Sequence, residues 1–284
     1  MTDLAIRPVG FGALLNAEWF ALRRRIGVQV LVAVWALQVI VFAYLVELVV
    51  YRSTAKTTTS TAVLTGLLPA STGSYVLGSL PLYGGPVMLC IGAVIGSGDY
   101  RFGTLRTLLS RYPNRVSFTL ARFSGMTLSM LAVSIMTMLL SLVCSGIVAK
   151  IQGLPLDYPN TGRLLLGLGA IWLVTTAWGG LGFLVGILTR NLAAAIVIGL
   201  AWTLIVETVL FGGLGSVVPA INAIRVILLS PSSASLAYAL GAQASTPGVT
   251  STASGGPVAT LVLVGYVLLS ALISAAVLRR RDIS

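Results

Sequence analysis

Residues 75–115 read YVLGSLPLYGGPVMLCIGAVIGSGDYRFGTLRTLLSRYPNR. From 75 to 97 there is no charged side chain, and an apolar helix of about 20 residues is enough to cross a hydrocarbon core roughly 30 Å thick. From 98 to 115 the character reverses: Asp99, Arg101, Arg106, Arg111 and Arg115 fall together in a chain of which only 9% is charged. Lipid accepts the first run and rejects the second, so a membrane helix ends here and a cationic segment lies outside the bilayer.

The rest of the chain repeats the pattern. With 57% hydrophobic residues and a mean hydropathy of +0.99, its 284 residues read as one all-α integral membrane domain. Six apolar runs predict spans at 26–51, 75–97, 118–149, 164–188, 192–211 and 258–278. The third is longer than one crossing needs, which predicts tilt or projection beyond the bilayer. Pro81 and Pro86, with Gly84 and Gly85 between them, predict a kink or broken turn in the second.

Most segments between the spans are short, the tract 212–257 excepted. Residues 1–25 form an N-terminal segment in which Phe11, Leu14, Leu15, Trp19 and Leu22 have the spacing of an amphipathic helix at the membrane interface. The apolar run after Arg23–Arg25 is too long for the core of a signal peptide and reads as an uncleaved first span. Residues 98–117 form a helix-compatible segment ended by Pro113, with Leu105, Leu108 and Leu109 on one face. Before the last span, 212–257 contains short amphipathic helices around Pro231, placed at or dipping into the outer interface, and a flexible Ser/Thr/Gly-rich link over 243–257.

Charge gives the orientation. With six spans both termini share one side. Thirteen arginines (7, 23–25, 101, 106, 111, 115, 122, 190 and 279–281) fall on that side, and Arg52, Lys56, Lys150, Arg163 and Arg225 on the other. The positive-inside rule makes the termini and residues 98–117 cytoplasmic. The net charge of +11 therefore serves topology and anionic lipid contact, not nucleic acid, whose binding domains gather basic residues with interleaved aromatics.

Catalytic chemistry finds little to work with. There is no histidine, and Cys90 and Cys144 lie inside apolar runs. That removes the usual zinc motifs, a Ser-His-Asp triad and a disulfide framework, and predicts no catalytic or metal site. Glu47 and Glu207 are the carboxylates inside apolar runs. Ionisable groups there are costly and mark candidate sites, so both join Gln38 and Trp202 as candidate path-lining residues. Ser134, Thr137, Ser141 and Ser145 form a stripe at helical spacing that reads as helix packing, as do Gly179, Gly182 and Gly186.

Three motifs in register with this topology carry a resemblance. Gly103-Thr104-Leu105-Arg106, then Leu108-Leu109-Ser110, then Pro113-x-Arg115, set between spans two and three, resembles the cytoplasmic signature of ABC-2 type permeases, the membrane subunits of many bacterial ATP-driven exporters. TTAWGGLGFLVGILTRN at 175–191 is similar to the Gly-rich span ending in Thr-Arg or Ser-Arg of that family, and VLRRRDI at 277–283 is similar to its closing Arg-Arg-Asp. Asp99 stands where the family usually has Glu.

The resemblance implies a permease subunit in the bacterial inner membrane, exporting a lipophilic or amphipathic compound such as an antibiotic, drug or peptide. Asp99, Arg101, Gly103, Thr104, Leu105, Arg106, Leu108, Leu109, Arg111 and Arg115 would then form the coupling helix seated on a cytoplasmic ATPase dimer. The permease would pair with a second copy of itself or a related permease. The sequence has no G-x-x-x-x-G-K-[ST] run, so ATP and Mg²⁺ would bind the partner ATPase. Two other classes use the same residues: a membrane scaffold or sensor that holds a partner on the cationic segment, and an ion-coupled secondary transporter with Glu207 as proton carrier.

Overall fold

The computed structural model describes residues 12, 16, 19–20, 24–53, 58–101, 115–213, 224–243, 246 and 254–280. The motif at 102–114, expected to seat on a partner ATPase, and most of the N-terminal amphipathic segment lie outside these residues.

Among the described residues the structure is helical, with no strand. In chain order the elements are α1 (Ile26–Ser53), α2 (Thr58–Leu67), α3 (Pro69–Gly98, its helix continuing to Arg101), α4 (Arg115–Ile151), α5 (Thr161–Thr189), α6 (Leu192–Ala201), α7 (Leu229–Ala239) and α8 (Gly256–Arg280). Five of them, α1, α3, α4, α5 and α8, are long and apolar enough to cross a membrane. The protein is therefore membrane-embedded. The expected fifth span, 192–211, coincides with α6 and its π-helical continuation Trp202–Gly213, of which Leu192–Glu207 is a shorter apolar helix. At 1.5 Å per residue α4 is roughly 55 Å long, well beyond one bilayer core.

α3 and α5 form the centre. Buried residues make up 72% and 67% of their apolar windows, against 22% for α1 and 28% for α8, which places α1 and α8 toward lipid. Glycine sets the α3–α5 distance. A Cβ at Gly92 would overlap the Gly179 carbonyl, one at Gly96 the Phe183 carbonyl, and one at Gly182 the Leu89 carbonyl; at Gly186 it would stand 2.9 Å from the Ala93 oxygen. Here the two backbones touch, which only residues without a side chain permit.

α4 is attached by hydroxyl groups. Ser134 Oγ lies 3.1 Å from Thr175 Oγ1 of α5, Trp35 Nε1 of α1 donates to Thr137 Oγ1 at 2.8 Å, and Thr72 Oγ1 of α3 donates to Ser145 Oγ at 3.1 Å. The small-hydroxyl stripe thus bonds α4 to three different helices, which in lipid replaces much of the hydrophobic driving force available in water.

The expected break in α3 takes the form of a π-helical stretch, Leu80–Gly84, following a 3₁₀ turn at Pro69–Ser71. Proline supplies no N–H to the i→i−4 ladder, and a widened turn accommodates the missing bond. Between α5 and α6 the chain turns at Arg190, which adopts φ 55°, and Asn191, whose side chain accepts from the N–H groups of Ala193 and Ala194. α7 does dip inward: Leu229 and Pro231 to Ala237 are all buried, against α3, α5 and α8.

Candidate functional site

Glu207 sits in the π-helical continuation of α6 and is 3% exposed. Its Oε2 accepts from the backbone N–H of Ser230 at 2.8 Å and from the Ser230 hydroxyl; its Oε1 accepts from Trp202 Nε1 at 3.1 Å. Local geometry explains the Trp202 contact. On an α-helix, residues five apart point about 140° away from each other, whereas the i→i+5 turn of a π-helix brings them to one face.

The Ser230 contact comes from elsewhere in the chain. α7 begins at Leu229 after Leu228, which offers no side-chain cap. Its first N–H groups need acceptors, and Glu207 supplies one from another helix. The carboxylate also faces the positive end of the α7 dipole, a favourable position for an anion. Trp202 itself remains 42% exposed, so its indole covers one side of the cluster.

Glu47 occupies a different setting. It begins the last α-helical turns of α1, half-buried, within electrostatic range of Tyr75 and Tyr83 of α3. Aromatic rings surround this region: Phe42 stacks on Tyr83 at 5.3 Å, Tyr44 lies 5.8 Å from Tyr75, and Tyr75 donates its hydroxyl to the Ala43 carbonyl at 2.7 Å. Gln38, at the junction of the α- and π-helical parts of α1, has a buried Oε1 without a hydrogen-bond partner among the described residues. The four candidate path residues thus divide. Trp202 and Glu207 share one cluster with α7, while Gln38 and Glu47 belong to α1.

The arginine-rich end of the bundle is also tied together. Arg25 Nη1 donates to the Val94 carbonyl at 3.4 Å, and Arg122, 3% exposed, donates to the Ile95 carbonyl. The Arg122 guanidinium lies 5.7 Å from the Phe118 ring centroid. Gly98 makes room for Arg25, since a Cβ there would stand 2.5 Å from Nη1. So α1 and α4 both grip the last turns of α3, beside Asp99 and Arg101 near its end. Arg115 opens α4, half-buried. Gly103, Thr104, Leu105, Arg106, Leu108, Leu109 and Arg111 lie outside the described residues.

Sequence reasoning did not single out Ser230 as the partner of Glu207, or Arg25 and Arg122 as clamps on α3. Pro231 lies in the first turn of α7, where proline is favoured, but nothing in the linear order pairs that turn with a residue 23 positions earlier. Among the described residues no three His, Cys, Asp or Glu side chains gather as a metal site.

No curated protein matches the chain in sequence. A family model described as "Protein of unknown function (DUF2705)" matches residues 40–284, and the protein belongs to that family.

Proposed function

We propose that this protein is the membrane subunit of an ATP-driven exporter, crossing the bacterial inner membrane six times with both termini in the cytoplasm and coupled through residues 98–115 to a separate ATPase dimer. The observation that carries the reading is where those residues attach. They connect α3, the most buried of the five long helices, to α4, and the α3 end is gripped by Arg25 and Arg122. A push on such a segment moves the centre of the bundle, since α3 touches α5 backbone to backbone. The arginines would give polar contacts to the ATPase and Leu105, Leu108 and Leu109 packing.

In this reading α6 completes the six spans, α7 is an outer-side helix folded back into the bundle, and a second permease copy faces the first across the transport path. The exported compound is lipophilic or amphipathic, as the resemblance to exporter permeases implies. A proton-carrier role for Glu207 has less support, because its oxygens already accept from Ser230 and Trp202.

The test is co-expression with candidate ABC ATPases, followed by purification of the complex and assay of ATP hydrolysis. The expected result is a stable complex whose stimulated hydrolysis falls at least tenfold in Arg106→Ala and Leu108→Ala while the membrane fold is kept. A permease that purifies without any ATPase, or a stimulation indifferent to both changes, overturns the proposal.

A further inference from the structure

Three stretches of the bundle depart from α-helical winding: Val39–Val46 in α1, Leu80–Gly84 in α3 and Trp202–Gly213 after α6. Counted from the arginine-rich end at about 1.5 Å per residue, each begins roughly 16–21 Å along its helix. The widened turns therefore share one level, in the half of the bundle away from the arginines. They are also connected, since Phe42 stacks on Tyr83 between the first two and α7 packs against the second and the third. Pro81 accounts for the π turn in α3. Neither Val39–Val46 nor 202–211 contains proline or glycine, so local chemistry does not impose their winding.

π-helices are rare, the same residues usually doing better as an α-helix, so contacts elsewhere must hold these turns open. At 202–213 the holding contacts are those of Glu207. Its carboxylate accepts at once from Trp202, five residues back, and from the N–H and hydroxyl of Ser230 on α7. Rewound as an α-helix, Trp202 and Glu207 would point about 140° apart, and the carboxylate could keep one set of donors but not both. α7 is equipped to part from the bundle. Its buried Ser232 and Ser233 donate to the carbonyls of Val226 and Leu229 in their own segment, so these bonds travel with the helix when it moves.

We propose that Trp202–Gly213 is a register switch that latches α7. In the π register Glu207 caps the start of α7 and keeps that helix folded into the bundle. When the segment rewinds to the α register, Glu207 rotates away, the first N–H of α7 loses its acceptor, and α7 swings out from between α3, α5 and α8. The arginine-gripped half, where α3 and α5 touch through glycine, stays fixed while the far half changes. The device follows from the fold alone and its test needs no ATPase, so its failure leaves the exporter proposal standing, and the reverse holds.

The test uses the full-length protein with Cys90 and Cys144 replaced by alanine and one cysteine introduced in α7, Ser233→Cys, at a fully buried position. The rate of labelling by N-ethylmaleimide in detergent reports how often α7 leaves the bundle. Glu207→Ala should raise that rate about tenfold or more, and Trp202→Phe, which keeps the ring but loses the N–H, about threefold. Deleting Ile205, which is 56% exposed, brings Trp202 and Glu207 to the spacing that shares one face of an α-helix. The latch then needs no π turn and has no second register to enter, so labelling should slow about fivefold. A cysteine at Ser134, buried in α4, should label slowly and equally in every variant. The proposal is overturned by a Glu207→Ala or Trp202→Phe protein that labels no faster at 233, or by a deletion protein that labels as fast as its parent. Labelling at 134 that rises in step with 233 also overturns it, since the whole bundle has then loosened and no single helix has been released.

Discussion

Glu207 shows how a carboxylate is accommodated where water is scarce: its two oxygens are surrounded by donors, and two of those donors belong to one residue at the start of α7. Removing it leaves the Ser230 N–H, the Ser230 hydroxyl and the Trp202 indole facing a void. Buried donors without acceptors cost roughly 1–3 kcal/mol each case, so Glu207→Ala should lower the thermal unfolding midpoint in detergent by several degrees. Glu207→Gln keeps the volume and one acceptor oxygen but turns an N–H₂ toward the donors, so it should fall between the two. If the alanine variant melts with the unaltered protein, Glu207 does not hold α7.

Among the elements, the α3–α5 pair is the least tolerant. Gly92→Ala and Gly182→Ala each force a methyl into a carbonyl of the facing helix, and neither backbone can give without parting the two helices. Overpacking of this kind costs typically 1–3 kcal/mol or more, so both variants should lose about 3 kcal/mol in reversible unfolding. Gly169, in the same α5, has nothing within 4 Å of a Cβ. There alanine should be neutral or up to about 1 kcal/mol stabilising through helix propensity. A Gly182→Ala protein as stable as Gly169→Ala would contradict the backbone contact. The π-helical turns belong at this scale too. Their i→i+5 spacing joins Trp202 to Glu207, and no α-helical reading of 192–211 places those two side chains together.

For the whole molecule, orientation is the property to test. With Cys90 and Cys144 replaced by alanine, single cysteines at 110 and 282 should react with a membrane-impermeant maleimide only in inverted vesicles, and one at 155 only in intact cells. Labelling of 110 and 155 from the same side would rule out the proposed topology. Much of the architecture was legible in the sequence because lipid imposes a simple rule: backbone groups must be satisfied within a helix, so length and hydropathy mark each long helix. The kink at Pro81 and the small-residue stripes followed from local chemistry in the same way, whereas the sequence left α7 open between resting at the outer interface and dipping inward. The candidate site was legible only in part. Glu207 and Trp202 could be named as unusual within an apolar run, but their joint use with Ser230 could not, nor could the grip of Arg25 and Arg122 on α3. The sequence by itself determined that this chain is a set of membrane helices and which of its polar residues are out of place in lipid. Only the tertiary structure decided which of those residues meet, because hydropathy acts on each segment separately whereas a hydrogen bond between helices depends on their relative rotation and depth, which the whole bundle fixes at once.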